Sequence, residues 1–343
     1  MPKPSFPSVE YQLLNSLKTS LNFTKSPRYP IPIGDDAAIL VCGKNEKLIL
    51  TADTFVENVH FNLAFMALEQ VGYKAMAINL SDCAAMAATP DSALVQIVFP
   101  KNQSVGKTLS GIKRVYKGLN EACRKWDFPI IGGNLSKGPC WMIDITLLGR
   151  TENRNRLLLR KGARHGDGLW VTGFPGESGA GLACLKKWGS VKKVPAEYAV
   201  LVRKHLRPVP RIKIARELAK ERHVHALIDI SDGISKDSRT LAYENNLGIL
   251  LDDEPGCISG PMRRLAGRLK RDWRDWYLNG GEDYELLFAA SPAFDPSRLA
   301  VTTGVPVSRI GVFSKSFRGV RLRKENNTSA RLNLGGWDHL QNA

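Results

Sequence analysis

The sequence predicts a two-domain protein that mixes helices and strands in both halves. Its 343 residues, 43% hydrophobic and 24% charged, are enough for two domains with sizeable cores. The predicted elements alternate between helix and strand, without a strict β-α-β rhythm in the first half. The stretch 151–167 is polar, charged and weakly periodic, and we take it as the domain junction. The fold class is therefore α+β for residues 1–150 and α/β for residues 151–343.

The first half opens with a short helix and then alternates strands and helices. Residues 1–10 form a Pro-rich arm, and VEYQLLNSLKT (9–19) has helical periodicity before the SPRYPIP breaker. The patterns that follow predict a strand at 47–56, a helix at 65–90 ended by Pro90, a strand at 92–100, a helix at 104–126, and strands at 128–133 and 140–150.

The second half restarts with a strand at 168–173 and alternates helices and strands to about residue 324. The patterns predict helices at 177–188, 196–205 and 210–221, and then a strand at 225–231. The stretch PMRRLAGRLKRDWRDW (261–276) is basic and aromatic, a composition that also occurs where proteins contact nucleic acid. We favour a single helix with one buried face, formed by Leu265, Leu269, Trp273 and Trp276.

The composition limits the class of protein. Lysine and arginine exceed aspartate and glutamate by 49 − 33 = 16, which suits anionic partners such as nucleic acid, a membrane surface or small phosphorylated ligands. The six cysteines form no C-x-x-C pair, so we expect reduced thiols rather than disulfides or a zinc site. The N-terminus lacks an apolar signal region and no long apolar run occurs, so we expect a cytoplasmic protein without a membrane partner.

Acidic residues concentrate in five short clusters. They are GDD (34–36), TAD (51–53), NLSD (79–82), DISDG (229–233) and GGED (280–283). An isolated GD or DG is usually a turn, but Asp82 falls on an otherwise apolar helical face, where an unpaired carboxylate is costly. Mg2+ prefers oxygen ligands and is held by a few carboxylates together with substrate phosphates. The clusters therefore predict a site for divalent cations.

The adjacent pair Asp35 and Asp36 leaves two alternatives. Neighbouring residues on a strand point to opposite faces, so both carboxylates reach one site only if Gly34 opens a turn there. Otherwise one aspartate binds the metal and the other is structural.

The sequence offers no obvious catalytic nucleophile. It has no G-x-S-x-G elbow, no H-E-x-x-H pair and no complete P-loop around GKT (106–108). The glycines of PIIGGN (129–134) could approach a phosphate, and Arg160 with its neighbours Arg154 and Arg156 could neutralise one. Phosphoryl transfer to an acceptor that is already anionic needs positioning and charge neutralisation more than a base. The residue set fits that reaction.

Taken together, the motifs resemble those of the thiamine-monophosphate kinase family, in the superfamily that also contains aminoimidazole ribonucleotide synthetase. The resemblance spans nearly the whole chain. It rests on IGDDAAIL, TADTFVENVHF, YKAMAINLSDCAAMAATP, IIGGNLSKGP, LLLRKGARHGDGLWVTG, KHLRPVPR, DISDGISKD, NGGEDYELLF and GGWDHL. VENVHF and KHLRPVPR separate this family from its relatives better than GDD does.

The resemblance implies that ATP phosphorylates thiamine monophosphate by direct in-line transfer, assisted by several Mg2+ ions. It implies an N-terminal domain (1–150) with a mixed sheet and helices, which binds ATP and metal and pairs with its copy in a homodimer. A C-terminal α/β domain (151–343) completes the site, and nucleic acid is not an expected partner.

The resemblance also implies a set of site residues. The metal ligands would be Asp36, Thr51, Asp53, Asp82, Asn134, Asp229 and Asp232. The ATP contacts would be Gly133, Asn134, Arg160 and Ser231, and the substrate contacts would be His60, Glu282 and Trp337. No residue acts as a general base in this scheme, and Asp82, Asp232 and Arg160 matter most for transfer.

Two departures from the family pattern keep alternatives open. The family's Gly-Gly-Asp is Gly132, Gly133 and Asn134 here, and its Ser-Thr-Asp is Thr51, Ala52 and Asp53. The first change removes a carboxylate from the metal set, although an asparagine oxygen can still bind a cation. The alternatives are a related kinase or synthetase with another small substrate, and a catalytically silent ligand-binding homologue.

Overall fold

Two β-sheets organise the chain, one built within residues 38–150 and the other within residues 168–331. The computed structural model describes residues 6–20, 26–31, 34–43, 46–151, 156–324, 328–332 and 335–340. Helices and strands occur in both halves, which confirms the predicted fold class. Arg154, one of the arginines considered above, lies outside the described residues.

The first sheet has five strands. They are β1 (Ala38–Val41), β2 (Lys47–Val56), β3 (Thr89–Pro100), β4 (Ile130–Gly138) and β5 (Met142–Arg150), in the spatial order β1-β2-β5-β3-β4. All neighbours are antiparallel except β3 and β4, which run parallel. Strand β2 has the bounds that its sequence predicts, and its alternate residues Ile49, Thr51 and Phe55 are buried on one face of the sheet.

Three helices belong to this half: α1 (Val9–Ser20), α2 (Leu68–Ala85) and α3 (Val105–Trp126). Helix α2 contacts β2 and β5 of the first sheet and also the second half, so it is buried on most sides. This position explains why its sequence is apolar nearly all round. On the opposite face of the sheet, side chains such as Leu94, Val98 and Met142 stay only half-buried.

The second sheet has seven strands. They are β6 (Gly168–Thr172), β7 (Val224–Asp229), β8 (Gly248–Asp252), β9 (Leu286–Ala290), β10 (Val307–Ser314), β11 (Gly319–Arg323) and β12 (Ser329–Arg331), in the order β12-β11-β8-β10-β6-β9-β7. The helices of this half are α4 (Glu177–Trp188), α5 (Ala199–Leu206), α6 (Ile212–Lys220), α7 (Ile234–Glu244), α8 (Gly260–Leu269), α9 (Trp273–Asn279) and α10 (Ser297–Thr303). Strand β7 lies at the sheet edge and contacts α2, so it joins the two halves.

Two predicted helices were wrong in extent. The helix predicted at 65–90 ends at Ala85, and Pro90 lies inside β3. The single helix predicted at 261–276 is two helices, α8 and α9, because the chain turns at Lys270, which adopts a left-handed φ of 52°. The predicted burial on those helices is confirmed, since Leu265, Trp273 and Trp276 are buried and Leu269 packs against the core.

The structure also bears on the cysteines and on membrane spans. All six cysteines are free thiols, as predicted. Within the described part of the chain, no helix combines the length and the apolar character needed to cross a membrane.

Candidate active site

A cavity of about 890 Å³ is lined by residues from both halves of the chain. Eight of the residues implied by the resemblance line it: Asp53, His60, Asp82, Asp229, Ser231, Asp232, Glu282 and Trp337. Carboxylates concentrate at one end, which we call the acidic end, and His60, Glu282 and Trp337 form what we call the acceptor end. A cavity of this size is sufficient for small organic ligands.

Three carboxylates converge at the acidic end; Asp82 and Asp229 line the cavity there, and Asp36 adjoins them without lining it. One oxygen each from Asp36, Asp82 and Asp229 lies within 4.8 Å of the others. These aspartates come from the turn before β1, from α2 and from the end of β7. Thr51 Oγ1 donates a hydrogen bond to Asp82 Oδ2, and Ser81 Oγ donates to Asp229 Oδ2 at 2.5 Å. Chain folding therefore brings together aspartates that are far apart in sequence.

Asp35 and Asp36 have different surroundings. Gly34 has a φ of 124°, which favours glycine, and the turn there directs Asp36 toward the acidic end. Asp35 instead accepts backbone N–H groups from Asp36 and Arg160, at 3.1 Å and 3.2 Å. The placement matches the second alternative for this pair, in which one carboxylate belongs to the site and the other is structural.

Arg160 provides positive charge beside the acidic end. Its Nη2 lies 2.7 Å from Asp36 Oδ1, and the Asp36 side chain is only 1% exposed. The other oxygen, Asp36 Oδ2, is buried without a hydrogen-bond partner. An unpaired buried carboxylate oxygen is costly, so this atom is suited to bind a cation.

The electrostatics of the acidic end also favour a cation. Burial, followed by the neighbouring carboxylates Asp53, Asp229 and Asp36, raises the pKa of Asp82 well above its usual range. Burial and Asp36 raise the pKa of Asp229 to about 8, and burial raises that of Asp53 to about 6. Two such charges at this separation repel by about 3 kcal/mol at an effective dielectric of 20. Divalent cations with oxygen preference, such as Mg2+, fit this donor set.

Asp232 lies where three loops of the site meet. Lys236 Nζ lies 2.9 Å from Asp232 Oδ2 and donates to the Trp337 carbonyl oxygen at 2.7 Å, while Trp337 N donates to the Asp232 carbonyl oxygen at 3.1 Å. Gly281 packs so closely that a Cβ there would lie 2.5 Å from the Ser231 carbonyl oxygen. The DISDG, NGGED and GGWDHL segments are thus held together by main-chain contacts.

The acceptor end combines aromatic rings with a carboxylate. The ring centroids of His60 and His339 are 5.2 Å apart, and those of Trp337 and His339 are 5.7 Å apart. Burial, His339 and Lys74 lower the pKa of His60 to about 4, so its imidazole is neutral near pH 7. His60 Nδ1 accepts the Val56 N–H at 3.0 Å, which leaves Nε2 as the protonated nitrogen.

Gly133 and Asn134 do not line the cavity. Asn134 lies on the edge strand β4 and pairs with Gln96 of β3. Gln96 in turn pairs with Asp144 of β5, and Asp144 pairs with Thr54 of β2. Three strand spacings place Asn134 about 14 Å from β2, and Asp53 points to the other side of the sheet from Thr54. Within one chain, Asn134 and Asp53 are therefore not placed to bind the same ion.

Sequence reasoning missed two residues next to Glu282. Lys74 of α2 is fully buried with its Nζ 2.9 Å from Glu282 Oε1, and His205 Nδ1 lies 3.5 Å from Glu282 Oε2. A signal for Lys74 was available, because a lone lysine interrupts the apolar run VGYKAMAINL (71–80). His205 lies within KHLRPVPR, where nothing in the pattern distinguishes it from its basic neighbours.

Comparison with protein families agrees with this architecture. Residues 34–151 match the family model described as AIR synthase related protein, N-terminal domain. Residues 164–320 match the corresponding C-terminal domain. The two matches cover most of both sheets.

Individual relatives are similar over most of their length. The thiamine-monophosphate kinase of Rhodopirellula baltica is 36% identical over 294 residues, 83% of this chain and 84% of that protein. That of Bacillus subtilis is 30% identical, over 91% of this chain and 94% of that protein. The solved structure of AaThiL complexed with AMPPCP and TMP has a TM-score of 0.81 and 30% identity, covering 96% of each chain. The chain therefore belongs to the thiamine-monophosphate kinase family of AIR synthase related proteins.

Proposed function

We propose that this chain transfers the γ-phosphoryl group of ATP to the phosphate of thiamine monophosphate, giving thiamine diphosphate and ADP. The observation that carries the proposal is one cavity with two chemically different ends. Asp82 and Asp229 line one end and converge with Asp36, which adjoins it, and His60, Glu282 and Trp337 line the other end. Relatives that bear the name of this activity, and a similar structure complexed with AMPPCP and TMP, support the choice of substrates.

Mg2+ would be held at the acidic end. The residues we assign to it are Asp36, Asp53, Asp82 and Asp229, with Thr51 and Asp232 next to them. When bound, Mg2+ supplies charge neutralisation for the polyphosphate and for the oxygens of the transferring group. The orphaned Asp36 Oδ2 and the raised carboxyl pKa values support this assignment.

The reaction needs no protein base. An oxygen of the thiamine monophosphate phosphate, already anionic at neutral pH, bonds to the γ-phosphorus as the bond from that phosphorus to the bridging oxygen of ADP breaks. The protein itself aligns the two phosphates and excludes water. We assign Ser231 and Arg160 to the nucleotide, and His60, Glu282 and Trp337 to the acceptor.

We also propose that the protein is a homodimer, with residues 1–150 as the dimerising domain and residues 151–343 completing the site. Half-buried apolar side chains on the open face of the first sheet, such as Leu94, Val98 and Met142, support this pairing. Gly133 and Asn134 lie on the edge strand of that sheet. A nucleotide contact from these two residues would therefore lie outside the cavity.

Light scattering tests the dimer. The wild-type chain has a mass of 37.9 kDa, and we expect a particle of twice that mass. Val98→Arg, which places a charge on the open face, should give the monomer mass. A wild-type monomer at micromolar concentration would contradict this part of the proposal.

Product formation tests the reaction. Purified protein with ATP, Mg2+ and thiamine monophosphate should release ADP and form thiamine diphosphate, detected by mass spectrometry. Free thiamine as acceptor is the control, and we expect no thiamine monophosphate from it. ADP release that is equal with and without thiamine monophosphate would refute the proposed function.

A further inference from the structure

A buried lysine from the first half of the chain contacts the acceptor end in the second half. Lys74 lies in the middle of α2 and its side chain is 0% exposed. Its Nζ lies 2.9 Å from Glu282 Oε1. Glu282 is its only ion-pair partner among the described residues, and the Phe55 ring centroid lies 5.9 Å from Nζ on another side. A fully desolvated ammonium is costly and needs such compensation.

Glu282 is fixed from several directions. Its backbone has a left-handed φ of 64°, which is uncommon for a residue with a side chain. Its N–H donates to the Ser231 carbonyl oxygen at 2.7 Å, so the NGGED loop is tied to the DISDG loop. With Lys74 on one carboxylate oxygen and His205 near the other, the side chain has little rotational freedom.

The free surface of Glu282 faces the cavity. The side chain remains 25% exposed although Lys74 is fully buried behind it, and Glu282 lines the cavity whereas Lys74 does not. A carboxylate has about four acceptor positions, so the contacts from Lys74 and His205 leave capacity for a ligand. A ligand with a positive charge or with N–H or O–H donors complements this surface.

We propose that Lys74 is a positioning residue for the acceptor: it holds the Glu282 carboxylate so that its free oxygen surface binds a cationic or N–H-donating part of the substrate. This inference rests on the proposed function. Thiamine monophosphate offers both groups, a thiazolium cation and an exocyclic amine. Lys74 itself acts only through Glu282 and touches no substrate.

The charge state of Glu282 is consistent with this role. Burial alone raises the pKa of its carboxyl group, but Lys74 and His205 lower it, and the net direction is downward. Burial lowers the pKa of Lys74, while Glu282 acts against that change. The Glu282 carboxyl group is therefore ionised near neutral pH and presents a negative charge to the acceptor.

A double-mutant cycle on the full-length protein tests the proposal. Binding of thiamine monophosphate and of the ATP analogue AMPPCP with Mg2+ is measured by calorimetry for wild type, Lys74→Met, Glu282→Gln and the double variant. We expect each single variant to weaken thiamine monophosphate binding by about tenfold or more, as loss of a charge-assisted contact does. AMPPCP binding should stay within about twofold. The double variant should equal Glu282→Gln, because Lys74 acts only through Glu282.

A matched control separates positioning from general contact between the two halves. Arg207 also joins them, through an ion pair with Glu121 and a cation–π contact of 4.2 Å to the Tyr73 ring, but it does not line the cavity. Arg207→Met should keep wild-type affinity for thiamine monophosphate. A tenfold loss in this control would mean that the effect reflects domain contact, and the proposal would be wrong.

Each of the remaining outcomes supports or refutes the positioning role of Lys74. If Lys74→Met does not fold, the double variant, which leaves no buried charge unpaired, is compared with Glu282→Gln alone. A double variant that binds thiamine monophosphate more than threefold worse than Glu282→Gln refutes the positioning role, as does equal weakening of both ligands. If the wild type binds thiamine monophosphate as described but forms no diphosphate, the proposed function fails while the role of Lys74 stands.

Discussion

The two ends of the cavity balance their carboxylates in different ways. At the acidic end, Asp36, Asp82 and Asp229 converge with Arg160 as their nearby cation, and one oxygen has no partner. At the acceptor end, the Glu282 carboxylate is already paired with the buried Lys74. The first arrangement leaves buried carboxylates with too little positive charge beside them, whereas the carboxylate of the second is paired before any ligand arrives. Removing a carboxylate should therefore have opposite effects on stability at the two ends.

The largest expected effect comes from Asp82→Asn. Its kcat should fall by about 10³-fold, because a ligand for the proposed Mg2+ ions is lost. In EDTA the midpoint temperature of unfolding should rise by about 3 °C, since the cost of burying the Asp82 carboxyl group, which its raised pKa reflects, is removed while the asparagine oxygen still accepts from Thr51. ADP release and thermal unfolding with and without Mg2+ measure the two effects.

A paired aspartate provides the control for that prediction. The buried Asp167 accepts the Arg164 N–H at 2.7 Å and lies 2.8 Å from His225 Nδ1, away from the cavity. Asp167→Asn should lower stability by about 1 to 3 kcal/mol and leave kcat within about twofold. If both variants destabilise the metal-free protein equally, the acidic end is not the repulsive cluster described here.

Glu282→Gln tests the other side of the comparison. It leaves the Lys74 ammonium buried without a charged partner, so the free energy of unfolding should fall by about 3 kcal/mol. The urea midpoint in EDTA at pH 7 measures this change, and Lys74→Met/Glu282→Gln should recover most of it. An increase in stability like that expected for Asp82→Asn would show that the two ends do not differ.

Much of this arrangement follows from the sequence, and the errors have a common physical origin. Strand β2 and helix α4 have the predicted bounds. The helix predicted at 65–90 stops early because Ala87 takes a left-handed φ of 54°, and the helix predicted at 261–276 breaks where Lys270 does the same. Glycine normally marks such caps, so neither residue carries a sequence signal for the turn.

The sequence predicted which residues belong to the site better than it predicted how they are arranged. Motif resemblance named Asp82, His60 and Glu282, and folding brings these residues to one cavity. It gave no indication that Asn134 lies three strands from β2, because register and sheet order are set by long-range pairing. Lys74 had no assigned role, since its meaning depends on a partner 208 positions later in the chain, at Glu282.

A smaller effect is expected from pH at the acceptor end. Burial, followed by Lys74, lowers the pKa of His205 to about 3. Glu282 acts in the opposite direction, and Lys186 lowers the pKa further. The Ser178 hydroxyl oxygen lies 3.2 Å from His205 Nδ1. The folded state therefore binds fewer protons than the unfolded state, so the stability present above about pH 6.5 is lost as pH falls toward 3.

Substitution with a group that does not titrate isolates this effect. Between pH 7 and pH 5, the free energy of unfolding of wild type should fall by about 2 kcal/mol relative to His205→Gln. Urea unfolding of both proteins at the two pH values gives the difference. Parallel changes in the two proteins would mean that the imidazole is not held neutral beside Glu282.

The smallest effect concerns the aromatic part of the acceptor end. Trp337 is 37% exposed, lines the cavity and meets the His339 ring edge-on, so it contributes contact area to the acceptor without carrying charge. Trp337→Ala should raise KM for thiamine monophosphate about tenfold, and Trp337→Phe about threefold, with KM for ATP within about twofold. Trp188→Phe, outside the cavity, should change neither constant. Equal increases in KM for ATP and for thiamine monophosphate would show that Trp337 does not belong to the acceptor end alone. The two ends of the cavity would then not be functionally distinct.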